Sequence, residues 1–253
     1  MAAVLAFAAH PDDVENLCAG TLALLGQRGH RLVIATASAG ECGSTAYEPA
    51  ETAAIREREG AAAAALIGAE FRCARLPDLA VFNDDDARRR VTEIIRWAQP
   101  DLVMTAAPAD YHPDHEATSQ LVRDACFAAP VPNYRTGPAA ALETIPHLYF
   151  MDPVGGRDRE GVRVEPAFAV DVSAFLPIKR RMLEAHVSQV EWVAKQHAIA
   201  DFAGSMEAWS RHQGQRFGVE AAEGFRQYRH HPYPTTPLLQ GLVGDALLTP
   251  AGR

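Results

Sequence analysis

Two short polar motifs interrupt a largely apolar N-terminal half: HPDD, with His10, Asp12 and Asp13, and HPDH, with His112 and His115. Imidazole nitrogens and carboxylate oxygens are common zinc ligands, and three of them leave a fourth position open in catalytic sites. Adjacent carboxylates also repel each other unless a positive charge lies nearby. The two motifs therefore predict a divalent cation site, provided that the fold brings them together.

The segments that must position these motifs alternate between strand and helix patterns over residues 1–152. Short apolar runs predict strands at 3–9, 31–38 and 101–107, and a weaker pattern, EFRCARL, predicts a strand at 70–76. Amphipathic or Ala-rich runs predict helices at 14–28, 49–67, after Asp86 and at 114–129. This alternation indicates an α/β fold: a Rossmann-like parallel sheet flanked by helices, with a strand order of about 3-2-1-4-5.

In that order, strands 1 and 4 are neighbours at the point where the order reverses, so their carboxyl ends open onto one crevice. HPDD follows strand 1, and HPDH follows strand 4. Each motif alone is equally typical of a turn with a helix cap, because Asp favours the N-cap position. Asp114 is expected to cap its helix or to orient a neighbouring ligand. Capping requires no imidazole, however, so the pair of motifs favours a cation site.

The C-terminal part departs from this alternation. Apolar runs predict further strands at 147–152 and 168–173, joined by an exposed hairpin tip, and a long helix at 177–198. Residues 199–253 show no clear period and predict irregular structure around the core. We expect a single domain over 1–253, with a Rossmann-like core at 1–152 and a C-terminal extension at 153–253.

Composition restricts the classes of function. The net charge of −8 argues against binding to nucleic-acid phosphates. The chain has no apolar run of about 18 residues, which a membrane span needs, and no basic start typical of a signal peptide. The four cysteines lie far apart without a C-x-x-C motif, which indicates buried free thiols in a reducing compartment. These features predict a soluble, cytoplasmic protein.

The sequence resembles the PIG-L/LmbE-like family of zinc-dependent N-acetylglucosaminyl deacetylases. AHPDDVE followed by GTLA, and then HPDH, are its two signature blocks. Weaker matches at 38–44, 56–70, 170–189 and 221–226 extend the resemblance over nearly the whole chain. The chain departs from the commonest pattern at Glu15, which stands one place later because Val14 is inserted. This departure does not affect the ligand positions.

The resemblance implies a role for each motif residue. His10, Asp13 and His115 become the zinc ligands, and such a nitrogen and oxygen shell also accepts Fe²⁺ or Co²⁺. Asp12 becomes the general base, and His112 an electrophilic helper that, when protonated, stabilises the tetrahedral oxyanion.

Three further residues match positions that contact the substrate in the family: Arg56, Asp78 and Tyr111. Arg56 is equally consistent with an ion pair to a neighbouring glutamate on its own helix. Four aromatic residues could line a sugar-binding mouth, although core packing or cover for the C-terminal region is the simpler interpretation: Trp192, Trp209, Phe217 and Tyr228.

The implied reaction is removal of the N-acetyl group from an N-acetylglucosamine-type conjugate, a small N-acylated amino-sugar substrate. One alternative is a zinc amidase of the same fold that cuts a larger amide, such as a thiol-sugar conjugate. Another is a non-catalytic metal- or sugar-binding relative, which would be expected to lack Asp12 or His112. A dinucleotide-binding module is disfavoured, because AAHPDD lacks the G-x-G-x-x-G turn. The sequence leaves open the aglycone and whether copies of the chain form a homo-oligomer.

Overall fold

A computed structural model describes residues 1–250, apart from the side chain of His197. Eight strands in this part form one continuous sheet, in the order β3-β2-β1-β4-β5-β7-β6-β8. The strands are β1 (Ala3–Ala8), β2 (Arg31–Ser38), β3 (Glu70–Leu76), β4 (Leu102–Thr105), β5 (His147–Met151), β6 (Phe168–Asp171), β7 (Ala222–Gln227) and β8 (Leu247–Leu248). The last three residues of the predicted domain lie outside the described part.

Nine α-helices of the described part pack around this sheet. They are α1 (Asp13–Leu17), α2 (Ala19–Gln27), α3 (Pro49–Ala65), α4 (Asp85–Ala98), α5 (Pro113–Ala128), α6 (Leu176–Glu184), α7 (Val187–His197), α8 (Phe202–Phe217) and α9 (Leu238–Val243). None of the helices within residues 1–250 has both the length and the apolar character needed to cross a bilayer.

The predicted fold class is confirmed by the first five strands. They pair in parallel in the order 3-2-1-4-5, with β1 between β2 and β4. Alternate residues of β1 enter different cores: Val4 and Ala6 face α1 and α2, whereas Leu5 and Phe7 face α4 and α5. A strand that is buried on both faces shows no polar alternation, which explains why AVLAFA is apolar throughout.

Local sequence signals set several helix ends. Pro49 occupies the first turn of α3, where its missing N–H has no cost. Asp84 caps α4 through a hydrogen bond from the Ala87 N–H to its carboxylate, at 2.9 Å. Gln99 ends α4 in the left-handed conformation, with φ at 46°. The Asp84 and Gln99 signals set the two ends of α4, which contacts β1, β2 and β3.

Two predicted helices are interrupted in the structure. The helix predicted at 14–28 breaks at Cys18, which separates α1 from α2. The break creates a free helix start, where the Gly20 and Thr21 N–H groups donate to the buried Glu223 carboxylate at 2.9 and 2.7 Å. The helix predicted at 177–198 likewise divides into α6 and α7 at His186.

The prediction of irregular structure over residues 199–253 is wrong, because this region forms α8, β7, α9 and β8. Strand β7 pairs antiparallel with both β5 and β6. The hairpin predicted between residues 147–152 and 168–173 is therefore also wrong, since β7 lies between those two strands. Gly224 allows this insertion, because a Cβ there would lie 2.1 Å from the Asp152 carboxylate.

The four cysteines are free thiols in the structure. Cys18 and Cys126 are buried, as predicted, and Cys73 is half-buried. Cys42 is exposed in the loop after β2, so the prediction of buried thiols is wrong for this residue.

Candidate metal centre and substrate cavity

The carboxyl ends of β1 and β4 bring the two motifs to one cavity, as the strand order predicts. The ring centroid of His10 lies 5.0 Å from that of His112 and 5.6 Å from that of His115. The rings of His112 and His115 stack with their centroids 4.8 Å apart. His10 and His115 are buried, and His112 is half-buried. Three imidazoles therefore share one polar site.

The Asp13 carboxylate lies between the two imidazoles that the family resemblance pairs with it. Its Oδ1 is 3.3 Å from His115 Nε2, and its Oδ2 is 3.5 Å from His10 Nδ1. The backbone N–H of His10 donates to the same Oδ2 at 2.8 Å, which fixes the carboxylate orientation. One carboxylate and two ring nitrogens thus face each other over short distances.

The opposite nitrogen of each imidazole contacts a further carboxylate. His115 Nδ1 is 3.0 Å from Asp110 Oδ1. His10 Nε2 is 3.1 Å from Asp78 Oδ1 and 3.3 Å from Asp114 Oδ2. Carboxylate partners of this kind fix the ring orientation and tautomer of metal-binding histidines. Sequence reasoning missed Asp110, whose only signal was an acid in the loop between β4 and the HPDH motif.

Asp114 does not cap α5. Its carboxylate instead accepts the Leu79 N–H at 2.8 Å and contacts His10, in line with the orienting role that was the other expectation. The cap is His112, whose Nδ1 accepts the Asp114 N–H at 3.2 Å. This bond leaves the proton of a neutral His112 on Nε2, the other ring nitrogen.

Asp12 occupies a strained backbone position at the start of α1. Its φ of 106° lies in the left-handed region, which costs a non-glycine residue roughly 1–3 kcal/mol. Its side chain makes no capping hydrogen bond to α1. The carboxylate instead accepts a hydrogen bond from Arg56 at 3.2 Å, on the cavity side of the chain. Adjacent Asp12 and Asp13 thus have separate environments.

Arg56 is almost completely buried, with 4% of its surface exposed. It donates to the carbonyl oxygens of Gly40 at 2.9 Å and of Pro11 at 2.7 Å, and to Asp12. Its partners are therefore not the glutamates of its own helix. Gly40 permits this approach, because it has a φ of 70° and a Cβ there would lie 2.0 Å from the guanidinium.

Asp78 and Tyr111, the other two residues matched to substrate contacts, also line the cavity. Asp78 accepts the Cys42 N–H at 2.9 Å and contacts His10, so both of its oxygens have protein partners. Tyr111 is half exposed, and its ring lies edge-on to His112 and His115 at centroid distances of 5.6 and 5.5 Å. The structure thus places Tyr111 at the open side of the three imidazoles.

The buried carboxylates determine the protonation of the imidazoles. Burial alone lowers the pKa of His115, but the charge of Asp13 and the hydrogen bond to Asp110 outweigh it and raise the pKa to about 9. Burial is likewise outweighed for His10, whose pKa rises well above its usual value because of hydrogen bonds with Asp114, Asp13 and Asp78.

The pKa values of the remaining candidate residues shift in different directions. Burial raises the pKa of Asp12 to about 6, although Arg56 opposes this rise. Burial acts in the same sense on Asp13, but the charges and hydrogen bonds of His115 and His10 keep its pKa well below the usual range. Burial, together with the charges of His115 and His10, lowers the pKa of His112. This lowered pKa favours the neutral imidazole of His112, in contrast to the expectation that His112 acts in its protonated form.

The donor set fits a divalent cation. Five carboxylates surround the imidazoles: Asp12, Asp13, Asp78, Asp110 and Asp114. Arg56 is the one guanidinium among the described residues that line the cavity. Ring nitrogens of the three histidines lie within 4.8 Å of one another, and so do His10, Asp78 and Asp114 ligand atoms. Asp78 and Asp114 contact Nε2 of His10, whereas Asp13 faces Nδ1 of the same ring.

The cavity has a volume of about 950 Å³ and extends from the imidazoles to α7 and α8. Its far side is an apolar wall formed by six residues: Trp192, Val193, Ile199, Phe202, Met206 and Trp209. Trp192 and Trp209 face this space, so core packing alone does not describe them, whereas Phe217 and Tyr228 are not among the described residues that line it. Sequence reasoning named the two tryptophans but missed the α8 residues Phe202 and Met206, because it did not predict α8.

The comparisons with known proteins agree with the predicted family. Residues 5–126 match the family model PIG-L, described as GlcNAc-PI de-N-acetylase. Diacetylchitobiose deacetylase of Thermococcus kodakarensis is 24% identical over 233 residues, covering 85% of this chain and 82% of that protein. A crystal structure of a conserved protein from Thermus thermophilus superposes with a TM-score of 0.74 at 26% identity, covering 93% of this chain and all of the other.

A relative with a different activity is also similar. 4-Oxalmesaconate hydratase of Pseudomonas putida (strain KT2440) is 26% identical over 157 residues. That alignment covers 59% of this chain and 60% of the hydratase, so it spans less than two thirds of that relative.

Proposed function

We propose that this chain, whose residues 5–126 match the PIG-L family model, is a metal-dependent hydrolase that removes the acyl group from an N-acylated amino sugar. The observation that supports this most is the position of Asp13 between His10 Nδ1 and His115 Nε2. Each imidazole is anchored by a carboxylate at its other nitrogen, an arrangement typical of metal-binding histidines.

His10, Asp13 and His115 would hold the metal, with zinc as the expected ion. A zinc ion so held supplies Lewis acidity, which polarises an amide carbonyl and makes a water molecule more acidic. Asp110 and Asp114 keep the two imidazoles oriented towards the ion. We propose that Asp78 has the same orienting role rather than a substrate contact, because its oxygens face His10 and the Cys42 N–H.

Asp12 is the proposed general base. Its carboxylate takes a proton from the attacking water and then delivers a proton to the departing amine. Arg56 positions Asp12 by holding both its carboxylate and the preceding Pro11 carbonyl. General acid–base help of this kind contributes roughly 10²–10⁴ in rate. The strained backbone at Asp12 is consistent with a side chain placed for function rather than for helix capping.

His112 is the proposed electrophilic helper, acting as a neutral donor. The Asp114 N–H occupies Nδ1, so the proton on Nε2 is available to hydrogen-bond the oxyanion that develops on the carbonyl oxygen. A donor of this type contributes about 10²–10³ to turnover. Tyr111 is the proposed substrate contact, because it is half exposed beside His112 at the open side of the site.

The deacetylase of Thermococcus kodakarensis supports the choice of an N-acetylated amino sugar as substrate. The hydratase of Pseudomonas putida supports a second candidate, the addition of water to a carbon–carbon double bond. The described lining disfavours that second candidate. Apart from the proposed metal and the imidazoles beside it, the described lining offers an oxalmesaconate-like anion one cationic group, the Arg56 guanidinium, which already donates to Gly40, Pro11 and Asp12.

The test is metal analysis of the purified protein combined with amine release from a panel of N-acylated glucosamine derivatives. The panel includes N-acetylglucosamine conjugates, larger N-acyl groups and a thiol-sugar conjugate. We expect amine release that stops with a chelator and returns with zinc. Amine release that persists after complete metal removal would contradict the metal-dependent mechanism. Bound metal without turnover of any member would favour the non-catalytic alternative.

A further inference from the structure

The apolar wall of the cavity is a preformed surface. Phe202 and Met206 pack with Leu183 and Ala203 in a small hydrophobic cluster that joins α8 to α6. Trp209 packs so closely on Gly156 that a Cβ at this glycine would lie 2.3 Å from the indole ring. Side chains fixed in this way lose little further freedom when a ligand binds, which favours affinity.

The six wall residues carry no charge. Their hydrogen-bonding groups are the indole N–H groups of Trp192 and Trp209 and the weakly accepting Met206 thioether. The polar residues of α7 and α8 that line the cavity are uncharged or imidazole side chains: Gln189, Gln196, Ser205 and His212. None of the described residues of α7 and α8 that line the cavity is a lysine, arginine, aspartate or glutamate. The guanidinium of Arg163, which lies 3.5 Å from the lining residue His212, pairs with Glu165 at 3.2 Å.

The cavity is larger than the reacting group requires. Its volume of about 950 Å³ lies near the upper end of the range of roughly 300–1,000 Å³ typical of small-molecule sites. The polar chemistry is concentrated around His10, Asp12 and His115, at the end opposite the wall. A substrate whose amide reaches these residues therefore extends its remaining part towards α7 and α8.

We infer that the substrate carries an uncharged apolar group, alkyl or aryl, that packs against the apolar wall while its amide lies at the imidazoles. This inference rests on the proposed function and narrows its substrate class. Two sources of the apolar group share this chemistry: an apolar aglycone on the sugar, or a long N-acyl chain. Anionic aglycones, such as a phosphate, are disfavoured because the lining holds no unengaged guanidinium among its described residues.

The experiment measures binding and turnover side by side. Dissociation constants are determined by calorimetry for five probes: methyl and hexyl glycosides of N-acetylglucosamine, N-hexanoylglucosamine, N-acetylglucosamine 1-phosphate and N,N′-diacetylchitobiose. Amine release from the same compounds gives kcat/KM. Burying one methylene changes affinity about fourfold, because about 0.8 kcal/mol corresponds to that factor. We expect the hexyl glycoside or the N-hexanoyl sugar to bind at least about tenfold more tightly than the methyl glycoside.

Variants locate the effect on the wall. Trp192→Ala should reduce the hexyl-to-methyl affinity ratio by about fivefold or more, and Trp192→Phe should retain most of it. Val190→Ala is the matched control, because Val190 lies on the same helix but is exposed to solvent outside the cavity lining. This control should leave both the ratio and the turnover unchanged.

The outcomes separate this inference from the proposed function. A tenfold preference that Trp192→Ala removes supports the apolar substrate class, and which probe shows it identifies the source of the apolar group. Equal binding of the methyl and hexyl glycosides and the N-hexanoyl sugar overturns the inference, as does tighter binding of the phosphate or of N,N′-diacetylchitobiose. Failure of every probe to release amine contradicts the proposed function, while the affinity ratio still decides the inference.

Discussion

Two clusters of buried carboxylates differ in how their charge is compensated. The first is the crevice cluster, formed by Asp12, Asp13, Asp78, Asp110 and Asp114 around the three imidazoles. The second is the Glu223 cluster, in which Glu223 accepts hydrogen bonds from the Gly20 and Thr21 N–H groups, the Thr21 hydroxyl and the Lys179 ammonium, all within 2.9 Å.

The Glu223 cluster is complete within the protein. The side chains of Lys179 and Glu223 are both 1% exposed and form an ion pair at 2.7 Å, and the remaining acceptor sites face the amino end of α2. A helix start also stabilises an anion through its backbone dipole. Such a carboxylate joins α2, α6 and β7 without need of any other charge.

The crevice cluster has more carboxylates than permanent cations. Arg56 compensates Asp12, whereas Asp13 faces imidazoles whose charge depends on a proton. An external dication would provide the missing charge while leaving both imidazoles neutral. This comparison teaches that a buried carboxylate whose oxygens are all paired within the protein has a structural role. Buried carboxylates that outnumber the permanent cations around imidazoles indicate a site for a bound cation.

The largest effect is expected when a proposed metal ligand of the crevice cluster is removed. His115→Ala should lose stoichiometric zinc and all measurable amine release, because only two proposed ligands remain. Inductively coupled plasma spectrometry of the purified variant checks the metal content. His147→Ala is the matched control, since His147 contacts Thr236 outside the cavity. Full zinc content in the His115 variant would exclude it as a ligand.

The next largest effect concerns the proposed base. Asp12→Asn should bind zinc normally and lower kcat by about 10²–10⁴, because proton transfer is lost while the ligands remain. Its thermal midpoint should not fall, because Asn tolerates the left-handed conformation at least as well and removes repulsion from Asp13. Retention of more than about a tenth of the wild-type kcat would remove Asp12 from this role.

Breaking the Glu223 cluster should change stability instead of chemistry. Lys179→Met leaves a buried carboxylate without its cation and should lower the free energy of unfolding by about 3–5 kcal/mol. Urea denaturation measures this change, and Lys195→Met, at the other and exposed lysine, should have no comparable effect. The combination of Lys179→Met with Glu223→Gln should recover part of the loss. An unchanged urea midpoint for Lys179→Met would contradict the structural role.

A smaller effect is expected at Asp110, the residue of the site that sequence reasoning missed. Asp110→Asn should weaken zinc affinity about 10–100-fold, because the amide no longer fixes the His115 tautomer as a carboxylate does. Excess zinc should restore most of the amine release. Asp124→Asn, at the far end of α5, serves as control. If zinc affinity is unchanged, the contact between Asp110 and His115 has no bearing on the metal.

The smallest effect concerns Asp152, a buried carboxylate that is only partly paired. Its Oδ2 accepts a hydrogen bond from Gln213, but its Oδ1 has no hydrogen-bond partner among the described residues. Burial raises its pKa to about 6, above the usual value of 3.8, although Arg226 and Arg216 oppose the rise. The folded state therefore keeps this proton between about pH 4 and 6, where the unfolded chain releases it. The contribution of protonated Asp152 to the free energy of unfolding is present below about pH 4 and is lost as the pH rises through about 6.

Asp152→Asn removes this titration. The variant should become more stable relative to the wild type between about pH 4 and 7, by on the order of 1–3 kcal/mol. Urea midpoints at the two pH values measure the difference, and Asp86→Asn, at an exposed carboxylate, provides the reference. A difference between variant and wild type that does not change with pH would contradict the shifted pKa.

The sequence was sufficient for the parts of the molecule that depend on local pattern. The sequence patterns at β1, β2 and β3 predict these strands, and each predicted end lies within one residue of the observed end. The order of β1 and β4 then brings His10 and His115 together, because their motifs directly follow these strands. Zinc and the roles of the motif residues came from the family resemblance, and the roles stay predictions.

The parts that the sequence did not predict depend on distant contacts. The break at Cys18 is stabilised by Glu223, which lies 203 residues from Gly20 along the chain and has no local signal. Gly204 and Gly214 lower the helix propensity of α8, so tertiary packing has to decide that segment. Glu223, Gly224 and Arg226 likewise interrupt the strand pattern of β7. The α8 residues Phe202 and Met206 of the cavity wall were missed for the same reason.

The position of β7 between β5 and β6 has a consequence for biosynthesis. The parallel strands precede residue 152, so this half can pair while the ribosome is still translating the remainder. β5 and β6 must wait for residues 222–227 to leave the exit tunnel, and until then their edges are open to pairing with another nascent chain. The sheet therefore closes only after residues 222–227 emerge, and a ribosome stalled before residue 222 leaves the β5 and β6 edges open to such pairing.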